Sequence, residues 1–164
     1  MSKIAGIYWD DTAAAPGISL SVYFSGCHFH CPGCHNPEAQ NFDYGKDFDF
    51  NIIAEVLAKL NKNGVHRKLS ILGGEPLCNE NLAAVYALIK WCKQDNPNLE
   101  IYIWTGYTYE ELQQRTKSLP IINEILEQTT CIIDGRFEQD KRDITLPLRG
   151  SSNQRIIYLH EKDN

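Results

Sequence analysis

Residues 27–36 read CHFHCPGCHN and place three cysteines and three histidines within ten positions. Three thiols make an uneven set. A disulfide takes two cysteines, and a closed structural zinc site takes four ligands. Thiolates are soft ligands that suit zinc, copper(I) and iron–sulfur clusters. Zinc would need His28, His30 or His35 as a fourth ligand, and the diagnostic zinc patterns use a second ligand pair that this chain lacks. Adjacent thiols can also form a redox switch, although the spacing here is more than a lone C-x-x-C. A four-iron cluster held by Cys27, Cys31 and Cys34 would leave one iron open to a small molecule.

A second motif, LGGEPL at 72–77, follows the apolar run KLSIL. Glycines without Cβ let a ligand approach the backbone, and Glu75 beside them can accept from an ammonium group. Taken alone, GGEP is equally a turn after a strand. Thr105 and Gly106 in WTGY follow another strand-like run, as a cofactor contact or as the start of a helix. Asp134 in DGRF lines the same rim or makes an Asx turn with Gly135. His28 and His30 sit inside the cysteine loop, where they either tune a bound group or merely occupy the loop. Arg136, Arg142, Arg149 and Arg155 gather in the last third of the chain, as a solvated face or as a docking or carboxylate-binding set. Trp9, Trp91 and Trp104 read as core or partner surface.

The elements that must position these residues alternate between strand and helix patterns. ISLSVYFSG (18–26), KLSILGG (68–74), LEIYIWTG (99–106), TCIIDG (130–135) and RIIYLH (155–160) read as strands. NIIAEVLAKLNKNG (51–64) and NENLAAVYALIKWCKQ (79–94) carry helical apolar stripes, with Gly64 a stop for the first and Asn79 a cap for the second. Thr108 and Glu111 have capping-box spacing ahead of a third helix, and Pro120 opens a fourth over 120–128. This order predicts an α/β fold with a mainly parallel sheet. In such a sheet the site lies beyond the C-terminal strand ends, where GCHFHC, GGEP, TGY and DGR all fall.

Composition sets the bounds. A chain of 164 residues suits a single domain with a sizeable core, and a net charge of −5 argues against a general nucleic-acid binder. No apolar run approaches a membrane span, and MSKIAGIYWDD has no signal-peptide core, so a cytoplasmic protein is expected. In a reducing compartment, clustered cysteines bind metal or do chemistry. Cys78, Cys92 and Cys131 lie outside the cluster, and the latter two read as buried packing thiols.

Cys27-x-x-x-Cys31-x-x-Cys34 resembles the signature of radical S-adenosylmethionine enzymes, and GGE some forty residues later strengthens the likeness. PGISLSVYFSGCHFHCPGCHNPE (16–38), with WTGYTYEEL, DGRF and LRGSSNQR, is similar to the glycyl-radical activating enzymes of that family, from about Pro16 to Arg155. The resemblance implies a single radical S-adenosylmethionine domain over 1–164, built as a truncated partial (β/α) barrel. It implies a [4Fe-4S] cluster on Cys27, Cys31 and Cys34. S-adenosylmethionine would be held by Gly73, Gly74 and Glu75 at its methionine end, by Gly33, Cys34 and His35 near adenine, and by Thr105. The family usually has an aromatic residue where Gly33 stands, so side-chain stacking on adenine is absent there.

In that chemistry an electron from the cluster cleaves the sulfonium, and a 5′-deoxyadenosyl radical abstracts hydrogen, so no protein acid or base is required. The implied substrate is another protein, the large subunit of an anaerobic ribonucleoside-triphosphate reductase, whose glycine loses a Cα hydrogen. An electron donor such as flavodoxin is implied as a further partner. The alternatives are a small radical enzyme acting on a metabolite or on another glycyl-radical partner, and a zinc-binding interaction module.

Overall fold

The computed structural model describes residues 1–160. In chain order the elements are β1 (Lys3–Asp11), β2 (Ser19–Phe24), β3 (Lys46–Asp47), α1 (Phe50–Leu60), β4 (Lys68–Gly73), α2 (Leu82–Asp95), β5 (Ile101–Trp104), α3 (Tyr109–Arg115), α4 (Ile121–Gln128), β6 (Cys131–Asp134) and β7 (Arg155–Tyr158). The strands form one sheet in the order β3-β1-β2-β4-β5-β6-β7. β2, β4, β5 and β6 run parallel, and antiparallel β1 with β3, and β7, close the two sides. The sheet is therefore mixed, with the expected parallel pairing confined to its centre. β7 returns antiparallel because the segment after β6 holds only a short 3₁₀ turn, Gln139–Lys141, and no crossover helix.

Period-two alternation divides the work of each central strand. Leu20, Val22, Phe24, Leu69, Ile71, Ile101, Ile103 and Ile132 are buried in one cluster with the apolar faces of α1, α2 and α4. The other face carries Ser19, Ser21, Ser70, Tyr102, Cys131 and Ile133. Its serines leave room for the loop after β1, and Ser70 Oγ donates to the Ala14 carbonyl at 2.5 Å. Ala14 and Ala15 are buried there, so this loop plugs the N-terminal end of the face. Cys92 and Cys131 are fully buried, as expected of packing thiols.

β1 escaped the sequence reading. Its alternation is broken by Gly6 and by irregular register at Ile4–Gly6 and Trp9–Asp11, and Asp10 takes a left-handed φ of 72°. The cap expected of Asn79 is also corrected. α2 starts at Leu82 behind Asn81, whose amide donates to the carbonyls of Ser25 (3.0 Å) and Glu75 (3.1 Å). Asn79 Oδ1 instead accepts from Arg115 Nη2 at 2.7 Å. α1 is capped by Asp49, and Gly64 ends the 3₁₀ turn that follows it. Pro120 stands at the cap position of α4.

α3 is short and carries the expected capping box. Glu111 N–H donates to Thr108 Oγ1 at 3.2 Å, and Thr108 N–H donates to Glu111 Oε2 at 2.8 Å. The box fixes the turn between the end of β5 and α3. Thr108→Ala is expected to cost about 1 kcal/mol, read as a lower urea midpoint with an unchanged m-value.

Candidate functional site

The C-terminal ends of β2, β4, β5 and β6 open onto a cavity of about 290 Å³. Cys27, Cys31 and Cys34 all line it, and none of the three is in a disulfide. They stand on the loop after β2. That loop is tied down by its backbone: Gly26 N–H donates to Ala39 O at 2.7 Å, and Cys27 N–H to Gln40 O at 3.1 Å. Phe29 anchors it from the other side. Its ring meets Tyr107 edge-on at 4.8 Å, and the Arg136 guanidinium lies 4.3 Å over it. Arg136 is held in turn by Glu111, with Nη1 at 2.8 Å from Oε2.

Burial pushes the thiols of Cys27 and Cys31 up from their ordinary value. Ligation by these thiols therefore releases protons. His28 and His30 are not part of the lining, and bond Glu80 Oε1 at 2.8 Å and Gln40 Oε1 at 2.9 Å. His35 does line the cavity, against Phe137 at 5.0 Å. Among the described residues no three His, Cys, Asp or Glu side chains converge on one point as ligands of a single ion. Three thiols spread around one cavity suit a cluster that takes one thiolate per iron.

Gly73 and Gly74 also line the cavity, and here their lack of Cβ has an internal cause. Gly73 has φ +120°, and a Cβ there would lie 2.3 Å from Phe24 O. At Gly74 it would lie 2.5 Å from Ala39 O and 2.6 Å from Gly26 O. The end of β4 thus packs backbone to backbone against the cysteine loop, and Glu75 N–H donates to Gly26 O at 2.7 Å.

Glu75 is 1% exposed, so it is no solvated turn residue. Oε1 accepts from Leu77 N–H at 2.9 Å and from Thr105 Oγ1 at 2.7 Å. Oε2 accepts from Gly106 N–H at 2.6 Å. A carboxylate offers about four lone-pair sites, so one on Oε2 is left over. Burial, only partly offset by these donors, pushes the Glu75 carboxyl up to about 7.

The remaining expected residues divide. Thr105 lines the cavity and holds Glu75 with its hydroxyl, while Thr108 caps the helix. Gly33 is not part of the lining. It has φ +75° and abuts Gln139, whose Cδ would lie 3.0 Å from a Cβ. Asp134 is buried but also lies outside the lining. It makes no Asx turn with Gly135, and instead accepts from Tyr109 N–H at 2.8 Å and from Arg155 Nε at 3.0 Å. Of the four C-terminal arginines only Arg136 reaches the cavity.

Trp104, Phe137 and Leu148 form an apolar wall that the sequence reading missed. Trp104 was expected in the core or on a partner surface. It is half-buried, and its Nε1–H donates to Leu148 O at 2.8 Å. Alternation on β5 puts it on the face of Tyr102, and that was the available signal. The cavity thus has thiols, a buried carboxylate between glycine backbones, and an apolar wall. That set suits a metal–sulfur group beside an amphipathic molecule with a cationic end.

Known proteins are similar to this chain in sequence. A sequence model of the family described as "4Fe-4S single cluster domain" matches residues 13–157. The anaerobic ribonucleoside-triphosphate reductase-activating protein of Pasteurella multocida is 38% identical over 152 residues, covering 92% of this chain and 93% of its own. The proteins of that name from Salmonella typhi and Escherichia coli K12 are 33% and 30% identical over 150 residues, covering 91% of this chain and 94% of each relative. The three-thiol loop therefore sits on a chain matched almost end to end, and the chain belongs to the family of anaerobic ribonucleoside-triphosphate reductase-activating proteins.

Proposed function

We propose that this chain activates an anaerobic ribonucleoside-triphosphate reductase by forming a glycyl radical on its large subunit. The observation that carries the reading is the convergence of the C-x-x-x-C-x-x-C thiols and the GGE carboxylate on one cavity. When bound, a [4Fe-4S] cluster and S-adenosylmethionine supply reductive cleavage of the sulfonium and, through it, abstraction of a hydrogen atom from the glycine Cα. Cys27, Cys31 and Cys34 would hold the cluster.

The free lone pair of Glu75 Oε2 would accept from the methionine ammonium between the Gly73–Gly74 backbone and Thr105. An ammonium beside that carboxylate favours its charged form and offsets the burial that now raises it. His35 and the Trp104–Leu148 wall would bound the adenosyl end and exclude water. The parallel core from β2 to β6 is read as a truncated barrel of a single radical S-adenosylmethionine domain. No side chain of this chain need donate or accept a proton in the abstraction itself.

No helix among the described residues is long and apolar enough to cross a membrane. A cytoplasmic location and a flavodoxin-type electron donor complete the reading. The test is anaerobic reconstitution with iron and sulfide, followed by EPR of the reduced protein and of the reductase. The expected result is a four-iron signal that changes on adding S-adenosylmethionine, and a glycyl-radical doublet in the reductase. Cys27→Ala, Cys31→Ala and Cys34→Ala should each abolish the doublet, and Cys92→Ala should not. Full activity in any of the first three would refute cluster ligation by that residue, and a colourless protein holding one tight zinc would refute the whole reading.

Glu75 gives a second, independent check. Its folded value lies above the ordinary 4.5, at about 7. The stability it contributes is thus fully present below pH 4.5 and lost as pH rises through 7. Against the non-titrating Glu75→Gln variant, the unloaded wild-type chain should lose about 3 kcal/mol between pH 4.5 and pH 7.5. Urea unfolding of both proteins across that range measures it, and a pH-independent difference would mean the folded carboxyl titrates as it does in the unfolded chain.

A further inference from the structure

A second cavity, of about 240 Å³, adjoins the first on the side of β1 and β2. Asn36 lines both, so the two lie on either side of one residue. The second is walled by Tyr8, Tyr23 and Tyr44, with the carboxylate of Glu38 beside them. Its lining includes no lysine, arginine or histidine. Lys46, on the neighbouring strand, lies outside the lining, and Lys3 is paired with Asp47 at 2.7 Å.

The rings are held open to solvent. Tyr8 is 58% exposed and Tyr44 43%. Tyr8 meets Tyr23 edge-on at 5.3 Å, over Gly6, where a Cβ would lie 2.8 Å from the Tyr8 ring. Gly45, at φ +92°, brings the Tyr44 loop against β1 so closely that a Cβ would lie 2.1 Å from Ile4 O. The backbone therefore fixes where these side chains leave the chain.

Aromatic faces with an adjacent carboxylate and no competing cation are the chemistry that recognises a positive charge. An exposed, preordered set beside a reaction cavity costs little conformational entropy to engage. Resting on the activase reading above, we propose that this tyrosine–carboxylate pocket receives a basic side chain of the protein substrate, near in sequence to the glycine that gives up hydrogen. The contact would anchor the glycine segment across Asn36 and into the main cavity.

The test uses the cluster-loaded chain, S-adenosylmethionine, a reductant and the full-length reductase, with initial rates of glycyl-radical formation read by EPR. Tyr44→Leu and Glu38→Gln should each raise the KM for the reductase, roughly five- to tenfold. Both should leave kcat and the four-iron signal unchanged. Glu38→Arg should weaken docking further. A reductase in which one lysine or arginine near the glycine is replaced by glutamate should restore it. Wild-type KM in both Tyr44→Leu and Glu38→Gln, or a loss confined to kcat, would overturn the docking proposal alone. A wild-type chain that forms no glycyl radical at all would overturn the activase reading, and this inference with it.

Discussion

The site depends on one buried carboxylate. Glu75 joins the loop after β4 to the loop after β5 by accepting from Leu77, Thr105 and Gly106. Its own backbone joins both to the cysteine loop, since its N–H donates to Gly26 O and its carbonyl accepts from Asn81. Three separate strand ends thus share one hydrogen-bonded node in a low-dielectric interior. There each bond is stronger than in water, and each unmade bond costs more. Burial keeps the carboxyl on the edge of protonation, so the node is also the group most responsive to a cation placed beside it.

The sheet supplies rigidity by separating its faces. The helix side holds almost all the large aliphatic residues, Leu20 to Ile132, and provides the apolar burial that stabilises the fold. The opposite face is lined with serines at its base and with Trp104, Ile133 and Leu148 near the strand ends. Small residues admit the Ala14–Ala15 plug, and large ones shape the cavity wall. One alternating pattern in each strand therefore specifies both the core and the chamber, with the loops left to bring the chemistry.

Much of this was legible because it is local. The thiol spacing, the GGE turn, the capping box at Thr108 and the parallel pairing of the central strands all follow from short-range patterns. What escaped depends on distant partners. β1 was unreadable because two register irregularities spoil its alternation, and only pairing with β2 makes it a strand. Asn79 looked like a helix cap, but its side chain binds Arg115 and α2 starts after Asn81, whose amide is held by the buried carbonyls of Ser25 and Glu75. Asp134 looked like a turn residue until Arg155, twenty-one positions away, was found on it. Gly33 stands where the family usually has an aromatic residue, and its neighbour is Gln139 and not the cavity.

The arginines of the last third show how composition misleads about docking. In sequence they form a basic group on an acidic chain. In the fold Arg155 is bound to Asp134 and Glu110, and Arg136 is bound to Glu111 while it covers Phe29. Their charge closes the loops around the cavity and contributes little to an outward positive field. The exposed pairs Arg155–Glu110 and Arg136–Glu111 are weak as stabilisers, but a planar guanidinium fixes geometry well. With Arg136 and Arg155 occupied internally, those two cations are not available to a large protein partner. Among the described residues, the exposed rings of Tyr8 and Tyr44 and the carboxylate of Glu38 beside the cavity mouth are features that fit a protein partner.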